Sequence, residues 1–228
     1  ANSDTTAYKK EGSTSQSFDS VYGIKINDSS VNYIHQNIGR MSLGVKVGET
    51  YTDYGDGNLE ETEQLYDMAL SGKGFFAISY ADRNGNESVR YTRDGNFTVN
   101  SQGVLMTKDG DFVLAEDGGL INIPEGVKIS VDESGRITAD GQEIAQLQLV
   151  DFEDYNYLEK FGENMYIAID GATTKDAQCK VYQGYLEASN VNVVTEMVDM
   201  ITITRDYESN QKVIQTIDST LEKSVALG

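Results

Sequence analysis

Few side chains in this sequence are of the types that catalysis or metal binding requires in combination. His35 is the only histidine, so neither a set of several histidine ligands nor a Ser-His-Asp triad can be built from one chain. Cys179 is the only cysteine, which excludes an intrachain disulfide and leaves no cysteine pair to hold a metal. The sequence therefore predicts no metal and no cofactor, and we interpret both residues as ordinary surface or packing residues.

Two short stretches resemble ligand-binding loops without completing them. Gly72-Lys73-Gly74 looks like part of a phosphate loop, but Asp67 stands where that motif needs its first glycine, and a glycine replaces the final serine or threonine. We interpret it as a tight turn before Phe75. Residues 82–86 alternate aspartate and asparagine as calcium loops do, but the glycine is misplaced and no glutamate occupies the twelfth position.

Carboxyl groups alone could support one further kind of chemistry. A glycoside hydrolase needs only two of them at a suitable separation, and the chain has 37 acidic residues. However, the absence of Trp removes the most common sugar-stacking side chain, and no acid lies in an apolar stretch that would raise its pKa. We therefore expect no catalytic residues and no enzyme activity. An envelope-associated glycan hydrolase and a soluble binding module with a ligand pocket stay as alternatives.

The charge balance excludes several classes of partner. The chain carries 37 acidic and 18 basic residues, for a net charge of −19. Nucleic-acid backbones and anionic membrane surfaces repel such a protein. No apolar run approaches the ~20 residues that span a bilayer, and residues 1–10 are too polar for a signal peptide. We expect no nucleic-acid partner and no direct membrane insertion.

The middle of the chain is typical of an antiparallel β domain. Between residues 63 and 182, short apolar runs alternate with turns, and four hairpin dipeptides recur: Asp94-Gly95, Asp109-Gly110, Asp117-Gly118 and Asp140-Gly141. This spacing predicts a small antiparallel β sandwich or barrel-like domain. The expected fold is mainly β with a long C-terminal α-helix.

The first part of the chain, residues 1–62, is polar and is predicted to form an irregular N-terminal arm. The alternation of Leu43, Val45 and Val47 indicates one strand within it. The polar residues 1–10 look like a turn that follows another element, which we expect to be an N-terminal helix absent from this sequence.

A long helix is predicted within the last part of the chain, residues 183–228. No Gly or Pro occurs between Asn190 and Ser224, and Ser189 and Asn190 are suitable N-cap types. Apolar residues recur there at helical spacing and form one stripe, which we take as a candidate assembly interface. Its residues are Val193, Met197, Met200, Ile203, Tyr207, Ile214, Ile217 and Leu221.

The predicted helix needs a surface to pack against. Several β-branched residues lower its intrinsic propensity, so one apolar stripe must supply its stability through packing. Polar residues such as Thr204, Gln211 and Asp218 interrupt a regular a/d seam, so a simple leucine zipper describes it poorly. The pattern alone leaves two alternatives open: the helix docks on its own domain, or it is reserved for other chains.

Four stretches together resemble one family, the axial proteins of the bacterial flagellum, which are its rod and hook subunits. Residues 1–10 are similar to the end of the family's N-terminal signature, and its central glycine-aromatic motif is matched by Leu70-Ser71-Gly72-Lys73-Gly74-Phe75-Phe76. The family's hallmark hairpin is matched by Tyr91-Thr92-Arg93-Asp94-Gly95-Asn96-Phe97. Its C-terminal signature is matched by Gln183-Gly184-Tyr185-Leu186-Glu187-Ala188-Ser189-Asn190-Val191.

The resemblance implies a structural subunit of the basal-body rod. In this family the N- and C-terminal helices pair into a coiled-coil inner domain, and the β domain packs outside it. Many copies stack helically around an export channel, contact other rod and hook subunits, transmit torque, and leave the cell through the flagellar type III export apparatus. This sequence lacks the large outer insertions of hook subunits, so it resembles rod subunits more than hook subunits. Among rod subunits, it resembles those of the distal segment most and those of the proximal segment second. The apolar stripe is then expected to be a homo-oligomer assembly surface.

Overall fold

The structure is a computed structural model that describes residues 2–25, 36–82, 85–124 and 126–226. The described residues form many short strands followed by a single long helix, as the sequence predicts. In chain order the strands are β1 Glu11–Ser17, β2 Val21–Lys25, β3 Gln36–Met41, β4 Val45–Thr52, β5 Leu59–Glu61, β6 Met68–Lys73, β7 Phe75–Ala81, β8 Glu87–Thr92, β9 Phe97–Val99, β10 Leu105–Thr107, β11 Phe112–Val113, β12 Ile129–Val131, β13 Arg136–Ala139, β14 Gln142–Gln146, β15 Leu149–Phe152, β16 Leu158–Phe161, β17 Met165–Ala168, β18 Thr174–Asp176, β19 Gln178–Gln183 and β20 Tyr185–Glu187; a 3-10 turn spans Tyr155–Tyr157, and helix α1 spans Val193–Ala226.

The predicted fold class is confirmed, with one refinement. All strand pairings among the described residues are antiparallel. The largest sheet has nine strands in the order β16-β17-β8-β7-β11-β10-β9, with β15 pairing to both β7 and β18. This path has two separate edges, so the sheet does not close into a barrel.

Residues 9–55 form one compact unit, and the rest of the described chain forms the other. The smaller unit contains two antiparallel ribbons, β1 with β4 and β2 with β3. Its strand content differs from the irregular arm that the sequence predicts, although the strand indicated by Val45 and Val47 is present as β4. Its first strand is rich in Ser and Gly rather than in alternating apolar residues, so the usual sequence signal for a strand is absent there.

Strand β7 is the centre of the larger unit. Its first four residues, Phe75 to Ile78, are all buried, because both faces of this strand are covered. Phe75 makes edge-to-face contacts with Phe152 and Tyr166 at ring distances of 6.1 and 5.5 Å. The opposite face contributes Phe76 and Ile78 to the core. The other large side chains of this core come from the rest of the nine-stranded sheet, from the smaller sheets and from loops: Met68, Leu70, Phe97, Leu105, Val113, Ile121, Ile123, Ile129, Ile137, Leu147 and Val181.

The predicted hairpin dipeptides behave in different ways. Asp140 and Gly141 join β13 to β14 with φ values of 50° and 80°, as a two-residue hairpin turn requires. Asp94-Gly95 instead joins β8 to β9, and these two strands pair with different neighbours. A tertiary contact overrides the local signal there: the Met68 amide donates to the Gly95 carbonyl at 3.0 Å, which fixes the turn against β6.

Candidate subunit-assembly site

Helix α1 begins at Val193 and is capped by Asn192. The Asn192 Oδ1 atom accepts hydrogen bonds from the amides of Val194 and Thr195 at 3.0 and 3.2 Å. The predicted caps, Ser189 and Asn190, lie before this point. The Ser189 hydroxyl accepts from the Val191 amide at 3.2 Å, so Ser189 supports the preceding turn rather than the helix. The prediction of the capping residue was therefore wrong, because three suitable cap types occur within four residues.

All eight residues of the predicted interface lie on α1 with their side chains largely uncovered. Their exposed fractions run from 41% for Val193 to 70% for Tyr207. No residue of α1 is buried. Since core side chains of a folded domain are normally covered, this helix does not obtain its packing from the described part of its own chain. The eight residues are Val193, Met197, Met200, Ile203, Tyr207, Ile214, Ile217 and Leu221.

Hydroxyl groups that interrupt the apolar stripe are satisfied within α1. The Thr204 hydroxyl donates to the Met200 carbonyl at 2.8 Å, and the Thr202 hydroxyl donates to the Val198 carbonyl at 2.9 Å. A threonine with its hydroxyl bonded in this way presents mainly its methyl group to a neighbour. Burial of Thr204 in an interface therefore leaves no hydroxyl without a partner.

A buried arginine fixes the chain segment that leads into α1. Arg93 is 3% exposed, and its Nε lies 3.3 Å from Oε2 of Glu187, the last residue of β20, which is fully buried. Its Nη2 forms an ion pair with Asp56. Its Nη1 donates to the carbonyls of Gly72 and Gly74 at 2.6 and 3.0 Å. The stretch that resembles a phosphate loop thus binds a guanidinium group through its carbonyls.

The N-terminal segment meets the same chain segment before α1. The Ala7 amide donates to the Glu187 carbonyl at 2.7 Å, and the Asn190 amide donates to the Tyr8 carbonyl at 3.2 Å. Gly57 approaches so closely that a Cβ at this position would lie 1.9 Å from the Ala188 carbonyl oxygen. The residues that precede α1 are therefore held by backbone contacts on two sides, in addition to the Arg93 ion pair.

Asp94, in the turn next to Arg93, is held in an unfavourable environment for its charge. Burial raises the pKa of this carboxyl to about 6, although a hydrogen bond from the Asn96 amide opposes the shift. Its Oδ1 accepts from that amide at 3.0 Å, and its Oδ2 accepts from Asn164 Nδ2 at 2.8 Å. The turn is therefore ordered by hydrogen bonds that an ionised or a protonated carboxyl can both make.

The described residues give no support to metal binding, membrane insertion or a reactive cysteine. These residues contain no group of three or more side chains suited to a metal ion, and no helix among them is long and apolar enough to span a membrane. Cys179 lines a cavity of about 490 Å³, and burial raises the pKa of its thiol, which disfavours the reactive thiolate. His35 and Asn84 lie outside the described residues.

Sequence reasoning missed the ion pairs of Arg93. Nothing in the spacing of Arg93, Asp56 and Glu187 indicates that they meet, because 37 residues separate the first two and far more separate Arg93 from Glu187. One signal could have indicated that Arg93 has a structural role: it is an arginine inside a turn that otherwise consists of small and polar residues.

Comparison with known proteins agrees with the motifs. The profile described as the flagellar basal body rod FlgEFG protein C-terminal matches residues 182–227, and that of the flagellar hook protein FlgE/F/G D1 domain matches residues 69–139. The first profile covers the whole described length of α1. The second covers β7, Arg93 and the turn at Asp94.

Individual relatives extend the match over most of the chain. Flagellar basal-body rod protein FlgG of Agrobacterium fabrum is 33% identical over 236 residues, which is 96% of this chain and 86% of the relative. FlgG of Buchnera aphidicola subsp. Schizaphis graminum is 36% identical over 198 residues, 81% of this chain and 73% of the relative. Flagellar basal-body rod protein FlgF of Caulobacter vibrioides is 36% identical over 174 residues, 75% of this chain and 68% of the relative. These matches confirm the resemblance, and the chain belongs to the family of flagellar basal-body rod proteins.

Proposed function

We propose that this protein is a structural subunit of the flagellar basal-body rod that assembles helically with further copies of itself through α1. In this role it surrounds the export channel, transmits torque and contacts other rod and hook subunits. It acts without catalysis, so neither a hydrolase nor a ligand-binding module is needed to explain it. The similarity to FlgG relatives supports the distal part of the rod as its location.

The observation that carries the proposal is the uncovered apolar surface of α1. Thirteen large apolar side chains on this one helix are exposed in the described structure: Val193, Val194, Met197, Val198, Met200, Ile201, Ile203, Tyr207, Val213, Ile214, Ile217, Leu221 and Val225. A surface of this kind on a soluble subunit marks a place where another protein chain binds. The eight-residue stripe is the part that we assign to assembly.

The energy available from the stripe is of the size that assembly requires. Covering the exposed part of each of its eight side chains contributes roughly 1 kcal/mol apiece, or roughly 8 kcal/mol in all. Association costs about 4–15 kcal/mol in lost freedom of motion. Because the two are similar, we expect a copy to be held firmly only when it contacts more than one neighbour, as it does in a helical polymer.

We also propose a division of labour along the chain. Residues 183–228 make the inner assembly contacts, residues 63–182 form the β domain outside them, and residues 1–62 form the arm that precedes the β domain. The ion pair between Arg93 and Glu187 supports this division, because it joins the β domain to the segment before α1.

The stripe is tested by placing a charge in it. Ile214→Asp and Tyr207→Asp are expected to leave the β domain folded, as judged by thermal unfolding of the purified protein, and to abolish rod formation in cells that lack the unmodified protein. Ser101→Asp, at an exposed polar position of the β domain, is the control that adds the same charge and should assemble normally. If Ile214→Asp assembles as well as the control, α1 is not the assembly surface.

A further inference from the structure

Two pairs of like charges lie along two different sides of α1. Successive residues of an α-helix are rotated by roughly 100° about its axis, so residues seven apart share a side. Arg205 and Lys212 are seven apart, and Asp199 and Asp206 are also seven apart. The two lines lie about 120° from each other around the axis. Lys223, the remaining cationic residue of α1, follows Lys212 by eleven residues and falls on the same side as the first pair.

These charges have no ion-pair partners of their own within the described residues. Asp199, Arg205, Asp206 and Lys212 are all exposed, and none forms an ion pair in the described part of the chain. Glu208 precedes Lys212 by the four residues that an intrahelical pair needs, yet no such pair forms there. The cationic side and the anionic side are therefore both available to another chain.

Apolar side chains accompany each line of charges. On the cationic side, Val194, Val198 and Ile201 are exposed by 71, 55 and 53%, and they lie outside the central apolar stripe. On the anionic side, Ile203 and Ile217 are exposed by 68 and 52%. Each side thus combines uncovered apolar surface with charge, which is the composition of a specific contact rather than of a solvated face. The anionic line carries negative charge only, whereas Glu208 lies beside the cationic line, three residues after Arg205 and four before Lys212.

Identical copies related by one repeated rotation and translation must present two different, complementary surfaces to each other. We propose that the cationic side of α1, with Arg205 and Lys212, contacts the anionic side of α1 in the next copy, with Asp199 and Asp206. This inference rests on the proposed self-assembly and adds which sides of the helix meet. The centres of the cationic and anionic lines are about six residues apart along α1. Two parallel copies of the helix would therefore be shifted relative to each other by roughly 9 Å along the helix axis.

The charges set the choice and register of the neighbour more than the strength of binding. Exposed ion pairs contribute little to stability, whereas like charges brought together in a contact are strongly unfavourable. Reversing one side therefore disrupts assembly by repulsion, and reversing both sides restores complementarity. This pattern separates a direct contact from a general effect of charge.

The first test is charge reversal in the full-length protein, expressed in cells lacking the unmodified gene. Arg205→Glu with Lys212→Glu, and separately Asp199→Lys with Asp206→Lys, should each reduce the number of complete rods at least tenfold, as counted by electron microscopy of isolated basal bodies. The four substitutions together should restore most of them. Lys108→Glu with Lys128→Glu, at positions of the β domain, changes the net charge as much as the first pair does and should have no effect.

The second test detects the contact directly. Rods assembled from a mixture of isotopically light and heavy copies are treated with a carbodiimide, which joins an amine to a carboxylate in contact with it, and are then analysed by peptide mass spectrometry. The expected product joins Lys212 of one isotopic form to Asp199 or Asp206 of the other. Products within a single copy do not count.

The outcomes separate this inference from the proposed function. If both double reversals assemble normally while Ile214→Asp fails, the helix sides do not meet in this way, but assembly through α1 stands. If the fourfold variant fails as the doubles do and no mixed product forms, the pairing is also overturned. If Lys212 is instead cross-linked to a different protein, the chain that contacts the cationic side is not a second copy.

Discussion

Replacement of Asp94 by asparagine is expected to stabilise the β domain at neutral pH. The folded-state pKa of this carboxyl is about 6, against an ordinary value of 3.8. The folded protein therefore binds a proton between these values that the unfolded chain does not bind, and stability falls as the pH rises through this window. Above pH 6 the ionised carboxylate has its full unfavourable effect. The difference between these two pKa values corresponds to about 3 kcal/mol of folding free energy, which is an upper limit because Asp94 keeps some exposure.

The asparagine introduced by this substitution can keep most of the local geometry. Its side-chain carbonyl can accept from the Asn96 amide, and the Asn164 amide group has only to turn over to accept from the new NH2 group. We therefore expect Asp94→Asn to gain about 1 to 3 kcal/mol at pH 7.5 and almost nothing at pH 4. The assay is urea unfolding followed by tyrosine fluorescence at a series of pH values, comparing variant with unmodified protein.

The control uses a similar turn with an exposed carboxylate. Asp117 Oδ1 accepts from the Gly119 amide at 2.9 Å, as Asp94 does from Asn96, but Asp117 is exposed. Asp117→Asn should therefore change stability by less than about 0.5 kcal/mol at either pH. A loss of stability in Asp94→Asn at pH 7.5, or a difference from the unmodified protein that does not depend on pH, would refute the reasoning.

Three further substitutions test other parts of the account, each by urea unfolding or circular dichroism. Arg93→Met removes the ion pairs of Arg93 with Asp56 and with the buried Glu187, and it should cost about 3 to 5 kcal/mol. Arg136→Met, in a half-exposed pair with Glu143, should cost less than about 1 kcal/mol. Equal losses would contradict the importance of burial. Gly95→Ala would place a Cβ 1.6 Å from the Met68 carbonyl oxygen and should lower the free energy of unfolding by at least about 3 kcal/mol. Gly110→Ala is the control, because its Cβ meets nothing within 4 Å. It should lower the free energy of unfolding by about 1 to 2 kcal/mol, from its backbone conformation alone. Asn192→Ala removes the cap of α1 and should cost about 1 kcal/mol of helix stability, seen as lower helicity of the monomer, whereas Ser189→Ala should leave helicity unchanged.

The fold class and the helix could be predicted because they depend on periodic signals. The absence of Gly and Pro between Asn190 and Ser224 and the regular apolar spacing predicted α1, and the structure places it at Val193–Ala226. The continuous apolar run at Phe75 to Ile78 predicted a strand, which became the centre of the largest sheet. Such signals need no knowledge of distant contacts.

The rest of the candidate site depends on contacts that local sequence does not encode. The first strand of the ribbons in residues 9–55 lacks alternating apolar side chains, and the turn at Asp94-Gly95 is fixed by a backbone contact from β6. The ion pair between Arg93 and Glu187 joins residues far apart in the chain. The role of the stripe on α1 as an assembly surface stays a prediction.

The most direct test of the central claim is electron microscopy of basal bodies from cells that lack this gene, with and without the full-length protein supplied from a plasmid. The account predicts that the deletion shortens the rod or removes the hook, and that the supplied protein restores both, with the break point marking the rod segment concerned. Intact rods and hooks in the deletion strain would contradict the account, because a structural subunit of the rod cannot be absent from a complete rod.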